Sequence, residues 1–92
     1  MSRQKTHKLW AMPTKSQHSM MYQILPHFLR ELRQKAGLTQ RDIGKTLKKP
    51  QSYVHNCEVA NRRVDVTEFV VWSKACGIKP EKSFAELLKL LQ

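Results

Sequence analysis

Apolar side chains in this chain recur three and four positions apart, a helical period, and no convincing alternating strand pattern appears. From Tyr22 to Ala36, the residues Leu25, Phe28, Leu29, Leu32 and Ala36 share one helical face, and Arg30, Glu31, Gln34 and Lys35 share the other. Pro26 lacks an N–H, so this helix is expected either to begin near Ile24 or to bend at the proline. Gly37 suits the left-handed position that ends a helix. Thr39 is an N-cap for a second helix, with Asp42 three residues on and Ile43 and Leu47 facing inward. A turn at Lys48-Lys49-Pro50 leads to a third helix, from about Pro50 to Val59. Val54 and Cys57 point inward there, while Gln51, Ser52, His55 and Asn56 lie on other faces. Asp65 with Glu68 caps a fourth helix whose inner stripe is Phe69, Val70, Ser73 and Cys76, ended by Gly77. Ser83 with Glu86 reads as a capping box for a fifth, with Phe84, Leu87, Leu88 and Leu91 on its apolar face. The expected fold is all-α, a compact five-helix domain over residues 20–92.

Residues 1–19 show no apolar period. They carry Arg3, Lys5, Lys8 and Lys15 and no acid, and so read as a flexible basic arm. Over the whole chain 17 Lys and Arg stand against 7 Asp and Glu, a formal net charge of +10. Such an excess calls for a polyanionic partner, nucleic acid before an acidic membrane surface. No run is long and apolar enough for a membrane span, and no apolar segment follows the basic N-terminus as in a secretory signal. Cys57 and Cys76 lack metal-ligand spacing and read as buried free thiols of a cytoplasmic protein. His7, His18, His27 and His55 match no zinc pattern, and no nucleophile-base set can be assembled from the polar residues. The expectation is therefore a non-enzymatic protein without cofactor or metal.

Two short helices joined by a tight turn, the second opening with small polar side chains, suit the major groove of double-stranded DNA. Gln51 can pair with both N6 and N7 of adenine, Ser52 can serve a base or a phosphate, and His55 and Asn56 lie one turn further along. Arg41, Lys45, Lys48, Lys49, Arg62 and Arg63 are candidates for phosphate contact, which supplies affinity and salt dependence rather than base choice.

Residues 29–78 resemble the lambda-repressor-like (Cro/C1, Xre-type) helix-turn-helix family. Its pattern runs L-R-x-x-R-x-x-x-G-L-T-Q-x-x-L-A, then L-G-x-x-x-S-x-V-S-x-x-E-x-G-x-R. In register with it are Leu29-Arg30-Glu31-Leu32-Arg33, Gly37-Leu38-Thr39-Gln40, Ile43-Gly44, Leu47, Ser52, Val54, Glu58 and Arg62. The resemblance implies that Gln40 binds the DNA backbone and buttresses the reading helix. It also implies that Gln51, Ser52, His55 and Asn56 face the major groove. Arg33 and Glu58 would form a structural ion pair locking the first helix to the third. The chain departs from the pattern at Lys48 and Ala60, where glycine is common, and at His55, where serine is usual.

The implied function is a sequence-specific transcriptional regulator, a repressor, binding DNA as a homodimer. Val71, Trp72, Leu90 and Leu91 exceed what a small core can bury, so the fourth and fifth helices are expected to form the dimer contact. Two reading helices would then lie about 34 Å apart, one turn of DNA. The rival reading is a protein-interaction module of the same fold, such as a transcriptional bridging factor or an antitoxin holding a toxin. Tyr53 is expected to pack beside the turn rather than stack on a base. The basic arm fits either a minor-groove contact or a solubilising tail.

Overall fold

The computed structural model describes the backbone of residues 15–92 and the side chains of residues 22–92. Five helices follow one another: α1 (Lys15–Lys35), α2 (Gln40–Leu47), α3 (Gln51–Glu58), α4 (Val66–Ala75) and α5 (Pro80–Leu91). No strand occurs among the described residues. Residues 1–14 of the basic segment lie outside them; from Lys15 the backbone is helical.

Helix α1 thus begins before Tyr22 rather than near Ile24, and continues through Pro26. An interior proline forfeits one backbone hydrogen bond. Here its ring is buried, which offsets part of that loss. Ala36 is exposed instead of sharing the apolar face, because the helix has already ended. Gly37 takes φ +73°, and the Leu38 amide turns back to the Arg33 carbonyl at 3.1 Å.

The core gathers Leu29 and Leu32 of α1, Ile43 of α2, Val54 and Cys57 of α3, Phe69 and Trp72 of α4 and Leu87 of α5. Trp72 is fully buried, and its indole N–H donates to the Leu29 carbonyl at 3.2 Å. It is therefore a central core residue, not part of the surplus apolar surface it was expected to extend. One face of an amphipathic helix cannot show which of two adjacent large residues turns inward; packing across the core decides that.

The start of α5 also differs from expectation. It opens at Pro80, the first helical residue, with Lys79 as an N-cap that makes no side-chain hydrogen bond. Ser83 is no cap. It is buried inside the helix, shares a 2.7 Å hydrogen bond with the buried Ser73 hydroxyl and donates to the Pro80 carbonyl. Two buried hydroxyls that satisfy each other cost little, whereas either alone would be expensive. Phe84, expected on the apolar face of this helix, turns outward. It is 51% exposed and touches Phe69 edge-on, with ring centroids 6.2 Å apart.

Candidate nucleic-acid interface

Helix α2 begins at a reciprocal cap. The Asp42 amide donates to Thr39 Oγ1 at 3.1 Å, and the Thr39 amide donates to Asp42 Oδ2 at 2.8 Å. The hydrogen bond from the Thr39 backbone, then that from its hydroxyl, holds the Asp42 carboxyl below the usual carboxylate range.

The turn between α2 and α3 is tight at two points. Lys48 adopts the left-handed conformation, φ 59° and ψ 45°. The Lys49 amide then donates to the Gly44 carbonyl at 2.8 Å. A Cβ at Gly44, where the family pattern carries alanine, would lie 2.6 Å from the Lys49 carbonyl oxygen. Gly44 thus admits the backbone of the turn against α2, and Lys48 carries the backbone strain that a glycine would relieve. Ala60, just past α3, is also left-handed at φ 66°.

A chain of side-chain hydrogen bonds fixes α3. Arg33 Nε donates to Glu58 Oε2 at 2.6 Å and Arg33 Nη2 to Glu58 Oε1 at 3.0 Å, a bidentate ion pair between α1 and α3. Its third nitrogen position, Nη1, donates to the Leu38 carbonyl at 2.9 Å. Glu58 is buried, and its hydrogen bond raises the Arg33 pKa against the opposing effect of burial. Gln40 Nε2 donates to Glu58 Oε1 at 3.0 Å, and Gln40 Oε1 accepts from Gln51 Nε2 at 2.6 Å. His55 Nδ1 stands 3.5 Å from Gln40 Nε2. The four side chains Arg33, Glu58, Gln40 and Gln51 therefore link α1, α3 and α2 to the first residue of α3. The exposed amide of Gln51 is oriented by a network whose other end is buried.

Gln51, Ser52 and His55 are exposed, whereas Asn56 is half-buried. The Asn56 carbonyl accepts from the Asn61 and Arg62 amides at 2.9 and 3.2 Å, tying the following loop to the helix. Arg41, Lys45, Lys48 and Lys49 surround a shallow depression that reaches Gly44 and Gln51. Tyr53 packs, half-buried, beside this surface: its hydroxyl donates to Glu68, and Lys49 and Arg62 lie over its ring at 5.1 and 4.5 Å. Desolvation and the Glu68 carboxylate raise the Tyr53 pKa. This cluster, which joins α3 to α4, was not legible in the sequence, because Glu68 had already been assigned to the α4 cap. Glu68 serves both: its Oε1 accepts from the Asp65 amide and its Oε2 from Tyr53. Arg63 alone among the basic candidates turns elsewhere, over the Tyr22 ring at 5.1 Å.

Both cysteines are free thiols, pushed up to about 11 by burial. Among the described residues no group of three or more His, Cys, Asp or Glu side chains could hold a metal ion, and no helix is long and apolar enough to cross a membrane.

Comparison with known proteins bears on this geometry. A family model described as a helix-turn-helix domain matches residues 25–88. An XRE-family-like protein from Pseudomonas syringae pv. tomato is 37% identical; the match covers 83% of this chain and 93% of that one, with a TM-score of 0.73. A restriction-modification controller protein from Aeromonas hydrophila is 27% identical over 72% of this chain and 98% of its own, with a TM-score of 0.60. No curated protein matches. The two-helix unit α2–α3, the buried Arg33–Glu58 lock and these matches together place the chain in the XRE-type helix-turn-helix family of DNA-binding transcription regulators.

Proposed function

We propose that this protein is a sequence-specific transcriptional repressor that reads the DNA major groove with α3. The observation that carries the reading is the Arg33–Glu58–Gln40–Gln51 network, which holds an exposed glutamine amide at the start of α3. A donor-acceptor pair held in that way suits the N6 and N7 edge of adenine. Ser52 and His55 supply the neighbouring exposed contacts, and Asn56, half-buried, a more peripheral one. Arg41, Lys45, Lys48 and Lys49 flank Gln51 and provide the phosphate footprint, with Arg62 beyond Tyr53. Arg63 reaches a phosphate only by leaving Tyr22. Repression follows from occupancy: a domain seated across a promoter blocks polymerase without recruiting anything. The site of action is the chromosome, in the cytoplasm.

A homodimer through α4 and α5 supports this function. With Trp72 buried, the apolar surface left for it consists of exposed Phe84 and Leu90 and the half-buried Val71, Leu88 and Leu91. The test is selection of bound sites from random DNA by the full chain, followed by titration against the selected and a scrambled duplex. Gln51→Ala is expected to cost about 1–3 kcal/mol on the selected site and little on the scrambled one. Equal, weak binding to all duplexes, unchanged by Gln51→Ala, would reject the reading in favour of a protein-interaction module. Sedimentation at tens of micromolar with the selected duplex is expected to show two chains per site.

A further inference from the structure

A second concavity lies on the other side of the loop that follows α3. It has a volume of about 550 Å³, in the range of small-molecule sites. Leu25 and Pro26 of α1, Val64 of the loop, and Leu87 and Leu91 of α5 form its walls. Arg62 and Arg63 lie at its edge with Tyr22, and among the described residues no carboxylate lines it. Its surface is thus apolar inside and cationic at one margin. Leu87 and Pro26 are buried and Leu25, Val64 and Leu91 are half-buried, so the walls belong to the folded core rather than to loose side chains.

We propose that this groove binds a small amphipathic anion, an apolar chain or ring bearing one carboxylate, and that the ligand lowers DNA affinity. The charge pattern selects this occupant. Arg62 already lies over Tyr53 beside Glu68, whereas Arg63, among the described residues, faces only the Tyr22 ring. A neutral lipid therefore leaves the Arg63 guanidinium without a counter-charge, and a basic peptide is repelled by both arginines. A carboxylate at the rim pairs with Arg63 or Arg62 in the bidentate geometry that guanidinium favours. The regulatory half rests on the proposed DNA-binding function. Arg62 and Arg63 belong to one loop hydrogen-bonded to the Asn56 carbonyl at the end of α3. An arginine engaged by the ligand carboxylate is withdrawn from phosphate, and the bound anion repels the DNA backbone. The coupling is reciprocal, so saturating DNA weakens the ligand by the same factor.

Decanoate is the probe, decanol its uncharged counterpart, and amide chemical shifts of the full chain the readout. Decanoate is expected to shift amides of Ala60–Val64 and of α5 and to bind at least several-fold more tightly than decanol. Arg63→Gln is expected to abolish that preference while leaving the far-UV spectrum unchanged, and Leu91→Asn to weaken both compounds. On a selected duplex, saturating decanoate is expected to reduce affinity several-fold, and less in Arg63→Gln. Equal binding of decanoate and decanol overturns the anion site. So does binding that appears only after residues 1–14 are deleted, or only on dilution, since the groove is then covered by the N-terminal segment or a second copy. Decanoate binding that leaves DNA affinity untouched overturns the regulatory half alone. A chain that binds decanoate at the groove but no DNA rejects the DNA-binding reading and leaves the anion site standing.

Discussion

The helix-turn-helix unit and the α4–α5 pair are held by different forces, and the contrast separates positioning from stability. Around α2 and α3 the decisive contacts are polar and directional: the bidentate Arg33–Glu58 pair, Gln40 bridging to Gln51, and Tyr53 on Glu68. Around α4 and α5 they are mostly non-directional: Trp72 seated against α1, Phe69 between Phe28 and Phe84, and Leu87 in the core. Hydrophobic burial stabilises without specifying direction, whereas a hydrogen-bond network fixes which atom faces out. A surface proposed to present Gln51 to DNA in one orientation needs the second kind of contact.

The largest expected effect breaks the non-directional side. Trp72→Ala empties the centre of the core, at a cost of about 3–5 kcal/mol in urea unfolding. In conditions where the variant remains folded, its preference among DNA sites is expected to be unchanged. Glu58→Ala attacks the directional side. It leaves the mostly buried Arg33 guanidinium without its acid and costs about 3 kcal/mol, less any rescue in the Arg33→Met, Glu58→Leu double variant. Unlike Trp72→Ala, both Glu58 variants are expected to lose discrimination between selected and scrambled duplexes, because Gln40 no longer has its anchor. If discrimination survives while stability falls, the two regions do not divide the work in this way.

Smaller effects sharpen the comparison at the turn. Lys48→Gly removes left-handed strain and is expected to stabilise the fold by about 1 kcal/mol in the same unfolding measurement. It should also lower the slope of log affinity against log salt by about one phosphate contact. Gly44→Ala, which forces a Cβ onto the Lys49 carbonyl, is expected to destabilise and to shift α3 relative to α2. The smallest effect is at the α2 cap. The Asp42 pKa is lowered in the folded state, so its contribution is complete above the ordinary carboxylate pKa and is lost as pH falls through the lowered value. Unfolding followed from neutral to acid pH is expected to show a wild-type advantage over Asp42→Asn that disappears in acid.

Local signals in the chain were sufficient wherever one turn of backbone decides the outcome. Thr39 with Asp42 and Asp65 with Glu68 form the caps that their three-residue spacing predicts. Gly37 and Gly77 are left-handed, and the apolar positions of α2 and α3 point inward. The same logic failed at Ser83, where an S-x-x-E pattern matched a cap but Pro80 had already opened the helix. At Pro26 it left open whether the helix begins near Ile24 or bends at the proline; the helix begins at Lys15 and continues through Pro26. At the candidate interface the residue types were legible, but the links among them were not: Arg33 and Glu58 stand 25 positions apart, and only the shared motif joined them. The resemblance tied Gln40 to the reading helix, but nothing in the sequence named Gln51 as its partner there, or joined Tyr53 to Glu68 or Arg63 to Tyr22.

By itself the sequence determined five helices, their capping residues, the strongly basic surface and the helix-turn-helix unit. These depend on period, on side chains a few positions away, and on charge, all of which are local or additive. Only the tertiary structure decided that Trp72 belongs to the core, that Phe84 faces out, and that Gln51 is held through Gln40 to a buried carboxylate. It also decided that Arg62 and Arg63 border an apolar groove. Each of these depends on which elements meet across the core, and that follows from packing of the whole chain rather than from any segment of it.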